Sequence, residues 1–234
     1  MRKAAFSFIA LALGALSTPA AAKPPVIVEL FTAQGCSACS KANAHVADLA
    51  DQDRILPLIF SVDYWDYLGW TDTYARPEFS ERQKAYARRL GVREVYTPQV
   101  VVEGRHQVGG NQPGKVDALV KQALRTPVDP PDMLYMENGK IAVGSSSHPP
   151  RGGAEVWLVR YDPRKVEVEV TKGDNKGETI EERNVVRQLV RLGRWRGRAT
   201  AFRLPTAEDG LETVVLVQQK DGGRIVAALK QPSR

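Results

Sequence analysis

Apolar residues in the first half of the chain form runs typical of strands and stripes typical of helices. Residues 26–32, VIVELFT, are a continuous β-branched and aromatic run broken only by Glu29, which predicts a buried strand. After Gly35, apolar side chains recur at spacings of three and four and predict one face of a helix. The members of this stripe are Cys39, Ala42, Val46, Leu49 and Ala50. Residues 55–62, ILPLIFSV, predict a second strand.

Two more helices and a hairpin are predicted before residue 126. A capping-box pattern at 80–83 predicts the start of a helix that ends at Gly91. Two apolar runs within 96–110 flank the turn residues 103–105 and predict a β-hairpin. Pro113 opens a helix whose apolar stripe has the same three-and-four spacing. The order of elements is that of an α/β domain, which we place over residues 23–126.

The second half of the chain has a mostly two-residue apolar period. The segment PVDPPD, residues 127–132, predicts a stiff linker, because three of its six residues are proline. Alternating segments such as AEVWLVRY and ETVVLVQQK then follow, separated by glycine-containing turns. Residues 184–195 fit either a helix or a strand, and we take them as a strand. We therefore expect residues 133–234 to form a smaller all-β, sandwich-like domain.

The N-terminus has the composition of a secretory signal peptide. Two basic residues precede an apolar run over 4–16, and the small residues Ala20 and Ala22 precede the expected cleavage site. We expect residues 1–22 to be removed and the mature protein to be periplasmic or secreted. Loss of these residues, which include two basic and no acidic ones, lowers the formal charge from +6 to +4. No later segment has about 18 uninterrupted apolar residues, so no transmembrane segment is expected after cleavage.

The two cysteines of the chain, Cys36 and Cys39, carry the candidate chemistry. In an exported protein such a pair is expected to be oxidised, either permanently or in turn with a partner. On the helical pattern Cys39 lies in the buried stripe, whereas Cys36 lies at the helix entrance, nearer solvent. A thiolate is stabilised at a helix N-terminus, so Cys36 is the candidate nucleophile and Cys39 the resolving thiol.

Two alternatives remain open for the pair. The disulfide could be structural, in a protein that binds a partner through its β-rich half. The two thiolates could instead hold Cu(I), with His45, His106 or His148 as a third ligand. The main hypothesis, thiol–disulfide exchange with other exported proteins, implies no organic cofactor and no metal.

Three segments resemble a known family: VELFTAQGCSAC, VDYWDYLGW and YTPQVVVEG. They are similar to segments of the DUF1223 family of exported thioredoxin-like proteins. The Cys-x-x-Cys at the start of the first helix and a Thr-Pro pair before a strand also resemble the thioredoxin-fold superfamily. This resemblance implies a thioredoxin-like first domain in which Pro98 is cis and lies against the disulfide. It also implies that Thr97 offers backbone groups to a bound peptide.

The same resemblance suggests a role for Glu29. Thioredoxins place a buried acid under the disulfide, so Glu29 becomes a candidate proton acceptor for Cys39. The alternative is an exposed carboxylate at a strand edge.

An aromatic segment, DYWDYLGWTD over 63–72, follows the second predicted strand. Because the ends of parallel strands and the starts of the following helices meet at one edge of a sheet, this segment is expected to border the cysteines. Tyr64 and Trp65 could form a wall that selects a partner peptide, or the aromatic rings could simply cover the core. An arginine-rich run over 183–198 is read as a solvated face. The expected partners are protein thiols or disulfides and an unidentified redox partner, with no nucleic acid.

Overall fold

The structure, a computed structural model, describes residues 23–232, so the predicted signal peptide over 1–22 lies outside the described residues. Within this range the helices are α1 (Ser40–Asp48), α2 (Pro77–Leu90) and α3 (Pro113–Arg125), with single 3-10 turns at Leu49–Asp51 and Asp66–Leu68. The strands are β1 (Val26–Thr32), β2 (Ile55–Ser61), β3 (Gln99–Val102), β4 (His106–Gly109), β5 (Met133–Met136), β6 (Lys140–Val143), β7 (Ala154–Glu169), β8 (Thr179–Trp195), β9 (Thr200–Arg203), β10 (Glu212–Gln219) and β11 (Ile225–Lys230). The fold is mixed α/β.

Eight strands form one large sheet in the order β11-β10-β7-β8-β2-β1-β3-β4. Strand β1 is parallel to β2 and antiparallel to β3, and β3 and β4 form a hairpin. Alternate residues of β1 point to opposite faces of the sheet. Val28 and Leu30 pack with α1 and α3 on one face, whereas Ile27 and Phe31 pack with α2 on the other. Both faces of the central strands are therefore buried.

The sequence predicted the order of the first seven elements correctly, including the bounds of β1 and the hairpin. The predicted capping box is wrong. Helix α2 begins at Pro77, whose ring presets the helical φ angle, three residues before Ser80. The Ser80 hydroxyl donates instead to Asp63 Oδ1 at 2.5 Å.

The β-rich second half extends the same large sheet. Strand β8 runs parallel to β2, with Val185 opposite Ile59. The predicted strand AEVWLVRY is the first half of the long strand β7, and residues 184–195 are strand, as predicted. Strands from both sides of residues 127–132 thus share one sheet. The division into two domains at that linker stays a prediction.

A second sheet, in the order β5-β6-β9, packs against the C-terminal part of the large sheet. Ile141 and Phe202 from the small sheet contact Val156 and Trp195 in the apolar core between the two sheets. A different core, under α2, combines Phe31 and other N-terminal residues with side chains of the C-terminal strands. The apolar packing is therefore continuous between the halves.

Candidate functional site

The two cysteines form a disulfide in the turn between β1 and α1. The Cys39 N–H donates to the carbonyl of Cys36 at 3.0 Å, and Cys39 is the N-cap of α1. Helix α1 begins at Ser40, so the prediction that Cys36 occupies the helix entrance is wrong. Cys36 lies in the preceding turn, farther from the unsatisfied N–H groups that would stabilise its thiolate.

Both cysteines are buried, with 1% of each residue exposed, whereas Ser37 and Ala38 between them are exposed. The prediction that Cys36 lies nearer solvent is therefore wrong as well. The physical reason is a cover that the helical pattern does not contain. After β2 the chain folds across the cysteine turn, and we call residues 63–74 the covering segment.

Tyr64 and Trp65 are the members of the covering segment that pack against the core cluster containing both cysteines. A Cβ on Gly35 would lie only 3.8 Å from the Trp65 Cβ, which places Trp65 directly against the cysteine turn. The Tyr64 hydroxyl donates to Gln83 at 3.1 Å, and burial raises the pKa of Tyr64 to about 12. The expectation that this segment borders the cysteines is thus met.

Gln34 anchors the covering segment to the cysteine turn through nearly all of its polar atoms. Its N–H donates to Asp72 Oδ2 at 2.7 Å. Its side-chain oxygen accepts from Trp70 Nε1 at 3.0 Å and from the N–H and hydroxyl of Thr73 at 3.1 and 3.2 Å. Its carbonyl accepts from Asn175 Nδ2 at 2.7 Å. Because Asn175 lies at the tip of the β7–β8 hairpin, the C-terminal half helps to hold the turn before the first cysteine.

Thr97 and Pro98 lie beside Trp65. The Thr97–Pro98 peptide bond is cis, as the resemblance implied. Trp65 Nε1 donates to the Thr97 hydroxyl at 2.8 Å, so the structure brings these two predicted site residues together. A Cβ on Gly110 would lie 3.0 Å from both Pro98 and Ala42, which places Pro98 next to the first turn of α1.

Glu29 is fully buried in the middle of the sheet, which excludes the alternative of an exposed strand edge. Arg82 Nε donates to Glu29 Oε1 at 2.7 Å, and the Tyr86 hydroxyl donates to Oε2. Both oxygens therefore have partners on α2. Among the described residues no hydrogen bond joins Glu29 to Cys39, and its role as a proton acceptor stays a prediction.

Arg82 was missed by the sequence reasoning. Besides Glu29, its guanidinium donates to Gln218 at 3.1 Å and to Tyr86 at 3.0 Å. Burial opposes the charged form, but Glu29 and Tyr86 outweigh it and raise the pKa of Arg82. A signal existed, since Phe79, Arg82 and Tyr86 have the three-and-four spacing of one helix face.

The same residues that form this site match a known family. Residues 27–218 match the family described as "Protein of unknown function (DUF1223)". The chain belongs to the DUF1223 family. A crystal structure of a protein from Agrobacterium tumefaciens is also similar, with 28% identity and a TM-score of 0.68 over 91% of this chain and 99% of that chain. No curated protein matches the sequence.

A second buried acid in this DUF1223 protein, Glu182 on β8, was also missed. Its signal was the two-residue period, because Ile180, Glu182 and Asn184 alternate with more exposed residues and share the buried face of the strand. Burial and the negative charge of Asp72 raise the pKa of Glu182 to about 8, opposed by Gln34 and Arg187.

The histidines considered for a Cu(I) site are dispersed in the DUF1223 protein. His45 Nε2 lies 2.9 Å from Asp117 Oδ1 on α3, and His106 and His148 are exposed. Over residues 23–232 no three His, Cys, Asp or Glu side chains are grouped so that they could hold a metal ion. In the same part of the chain no helix is both long and apolar enough to cross a membrane.

The arginine-rich run on β8 is partly paired. Arg183 contacts Asp51 at 2.8 Å and Arg191 contacts Glu155 at 2.7 Å, both near the surface. The Arg187 guanidinium lies 4.2 Å from the ring centre of Tyr74. Because Tyr74 ends the covering segment, Arg187 connects β8 to the cover of the disulfide.

Proposed function

We propose that this DUF1223 protein is a thioredoxin-like thiol–disulfide exchange protein that acts on the thiols and disulfides of other exported proteins. The observation that carries the proposal is the position of the Cys36–Cys39 disulfide. It lies between a central strand and a helix, beside a half-buried Trp65 that is hydrogen-bonded to the residue before a cis proline. The strand order β2-β1-β3-β4, with β1 parallel to β2 and β3 antiparallel to β1, supports the thioredoxin-like assignment.

The exchange would proceed in two balanced steps. A partner thiolate attacks Cys36 Sγ, the disulfide breaks, and Cys39 leaves as a thiolate. Attack of Cys39 on the mixed disulfide restores the Cys36–Cys39 disulfide and releases the partner unchanged. Attack by a second partner thiol instead releases an oxidised partner and leaves the pair reduced. With a reduced pair and an oxidised partner the same steps run in reverse. Thr97 and Pro98 would shape the groove that holds the partner peptide.

Access to the sulfurs requires the covering segment to move. Both cysteines are 1% exposed, and Trp65 packs against the cluster that contains them, so a partner thiolate cannot contact Cys36 in this arrangement. The Trp65–Thr97 hydrogen bond is one contact that has to break. A partner peptide that takes over this bond to Thr97 would stabilise the open arrangement.

A second candidate function rests on the same burial. A disulfide with both cysteines buried is the environment of a structural bridge, and exchange needs an accessible sulfur. In this alternative Cys36–Cys39 braces the turn that Gln34 anchors, and the protein binds a partner without redox chemistry.

Two measurements on the full mature chain distinguish the candidates. The reduction potential is measured in thiol redox buffers, and the alkylation rate of Cys36 is measured against pH in reduced Cys39→Ser. We expect a potential above about −300 mV and a Cys36 thiol that reacts with the alkylating reagent. In the presence of a disulfide-containing protein, the Cys36 thiolate of reduced C39S should attack the partner disulfide and accumulate as a mixed disulfide, because no Cys39 thiol resolves it, and reduced C36S should not. A potential below about −300 mV, together with a Cys36 thiol that resists alkylation, would assign the bridge a structural role.

A further inference from the structure

A carboxyl group without a hydrogen-bond partner lies next to the turn before the disulfide. Glu182 is fully buried, and neither of its oxygens has a partner among the described residues. The amide of Gln34 faces this carboxyl and favours its ionised form. Gln34 Nε2 has no hydrogen-bond partner either, so the contact between the amide and the carboxyl is looser than a hydrogen bond. An unpaired carboxyl in the interior is costly to fold around, so its presence calls for a physical role.

The orientation of Gln34 is not free to change. Three donors from the covering segment fix its side-chain oxygen, and its backbone is held by Asp72 and Asn175. Nε2 must therefore stay turned toward Glu182. Gln34 precedes Cys36 by two residues, which is at most about 7 Å of backbone. Cys36 and Glu182 are thus connected through Gln34, and a charge that appears on Cys36 would act on Glu182 through an interior where charges are weakly screened.

We propose that Glu182 takes up a proton when a dithiol reduces the Cys36–Cys39 disulfide, and so couples the redox state of the pair to protonation. This inference rests on the proposed function, because it requires a disulfide that can be reduced. Glu182 is a positioning residue in this scheme and not a catalytic one, since it acts on the sulfurs through charge and does not contact them.

The coupling follows from repulsion between like charges. When Glu182 is ionised, reduction adds a thiolate to an interior that already holds a carboxylate, which is unfavourable. The carboxylate then binds the proton that reduction makes available. One dithiol supplies two electrons and two protons, and becomes a disulfide. The pair becomes one thiol and one thiolate, so one proton goes to sulfur and the other to Glu182, and the total charge is unchanged.

The other charged groups near Glu182 set the pH range of this coupling. Asp72 in the covering segment favours the neutral carboxyl, whereas Arg187 on the same strand favours the ionised one. The negative charge of Asp66 in turn raises the pKa of Asp72. Arg187 also acts on Asp162 of β7, whose pKa it lowers. Burial raises the pKa of Glu182 to about 8 in the oxidised protein, so extra proton uptake is expected above that pH.

The test is the equilibrium constant for reduction by dithiothreitol between pH 6 and 10, in the mature wild-type protein and in Glu182→Gln. Ionisation of dithiothreitol affects both proteins equally and cancels in the ratio of their constants. Below about pH 8 the ratio should be constant. Above it, the wild-type constant should fall relative to E182Q by about tenfold per pH unit, or about 30 mV for a two-electron couple. Glu181→Gln, an exposed neighbour paired with Lys165, is the matched control and should follow the wild type.

Proton uptake provides a second readout. In unbuffered reduction by dithiothreitol at pH 9 the wild type should consume one more proton per disulfide than E182Q, whereas at pH 7 the two proteins should consume the same number. Reversible reduction with the same pH profile in wild type and E182Q would overturn this inference and leave the proposed function standing. A disulfide that no dithiol reduces in either protein would overturn both.

Discussion

Glu29 and Arg82 form an ion pair that has almost no contact with solvent. Their side chains are 0% and 5% exposed and lie 2.7 Å apart. Each charge compensates the other, so the loss of one partner leaves the other buried and unpaired. The pair should therefore matter more for stability than any of the exposed ion pairs on the surface.

We expect Glu29→Gln to lower the free energy of unfolding by about 3 kcal/mol. Arg82→Met should have a similar effect, and the double variant should lose clearly less than the sum of the two single losses. Urea denaturation of the four proteins gives this coupling energy. Lys84→Met is the control, because its pair with Glu81 is exposed and should contribute under about 1 kcal/mol. Strict additivity of E29Q and R82M would contradict the ion-pair argument.

Trp65 is the residue through which access to the disulfide can be tested. Trp65→Ala removes both the hydrogen bond to Thr97 and the apolar contact with the cysteine cluster. Loss of about 1 to 2 kcal/mol from the covered arrangement should increase the rate of reduction by a dithiol about tenfold. Thr97→Val should give a smaller increase. Tyr67→Ala is the control, because Tyr67 lies in the same segment but is 80% exposed, and its rate should match the wild type.

At the scale of elements, α2 is packed closely by the turn between β10 and β11. Gly222 in this turn has a φ of +68°, and a Cβ there would lie 2.7 Å from the Ala85 carbonyl carbon. We expect Gly222→Ala to destabilise the protein by about 2 to 4 kcal/mol, from both the backbone strain and the clash. Gly114→Ala is the matched control. Gly114 is in the first turn of α3 with open space around it, so this change should stabilise by up to about 1 kcal/mol. Thermal unfolding should show a lower midpoint temperature than the wild type for Gly222→Ala and an equal or higher one for Gly114→Ala.

Elements with a strong local pattern could be predicted from the sequence, whereas the segments that bury their side chains could not. The run VIVELFT and the stripe that follows Pro113 have one interpretation each, and β1 and α3 form there. Burial of Cys36 depends on the covering segment, and Asn175 holds the turn before it; both come from later parts of the chain. The pairing of Glu29 with Arg82 likewise depends on how α2 crosses the sheet. A local period reports which face is buried, but not which element buries it.

For the whole molecule, the main consequence of the topology is that the C-terminal half completes the surroundings of the disulfide. Strand β8 lies beside β2, and the β7–β8 hairpin tip reaches the carbonyl of Gln34. At the other end of the sheet, the N–H of Ile225 donates to the carbonyl of Glu103 in the β3–β4 turn. The halves are therefore connected at both ends of the N-terminal strands. Substitutions in β8 should accordingly alter the surroundings of the two cysteines.

Buried acids give the molecule a pH-dependent stability with a defined sign. In the folded protein burial raises the pKa of Glu182 to about 8 and that of Glu103 to about 7, whereas an unfolded glutamate titrates near 4.3. The folded state therefore holds these protons more tightly than the unfolded state. Their contribution to stability is fully present below about pH 4.3 and is lost as the pH rises through 7 and 8.

We accordingly expect the free energy of unfolding to decrease by a few kcal/mol between pH 5 and pH 9, measured by urea denaturation of the oxidised protein. Glu182→Gln removes the largest cause of this decrease, so its curve should be flatter and should cross that of the wild type, with the variant the more stable at pH 9. Glu181→Gln should keep the wild-type slope, because Glu181 is exposed. A wild-type stability that is level or rises between pH 5 and pH 9 would mean that the Glu182 carboxyl binds its proton no more tightly in the folded chain than in the unfolded one.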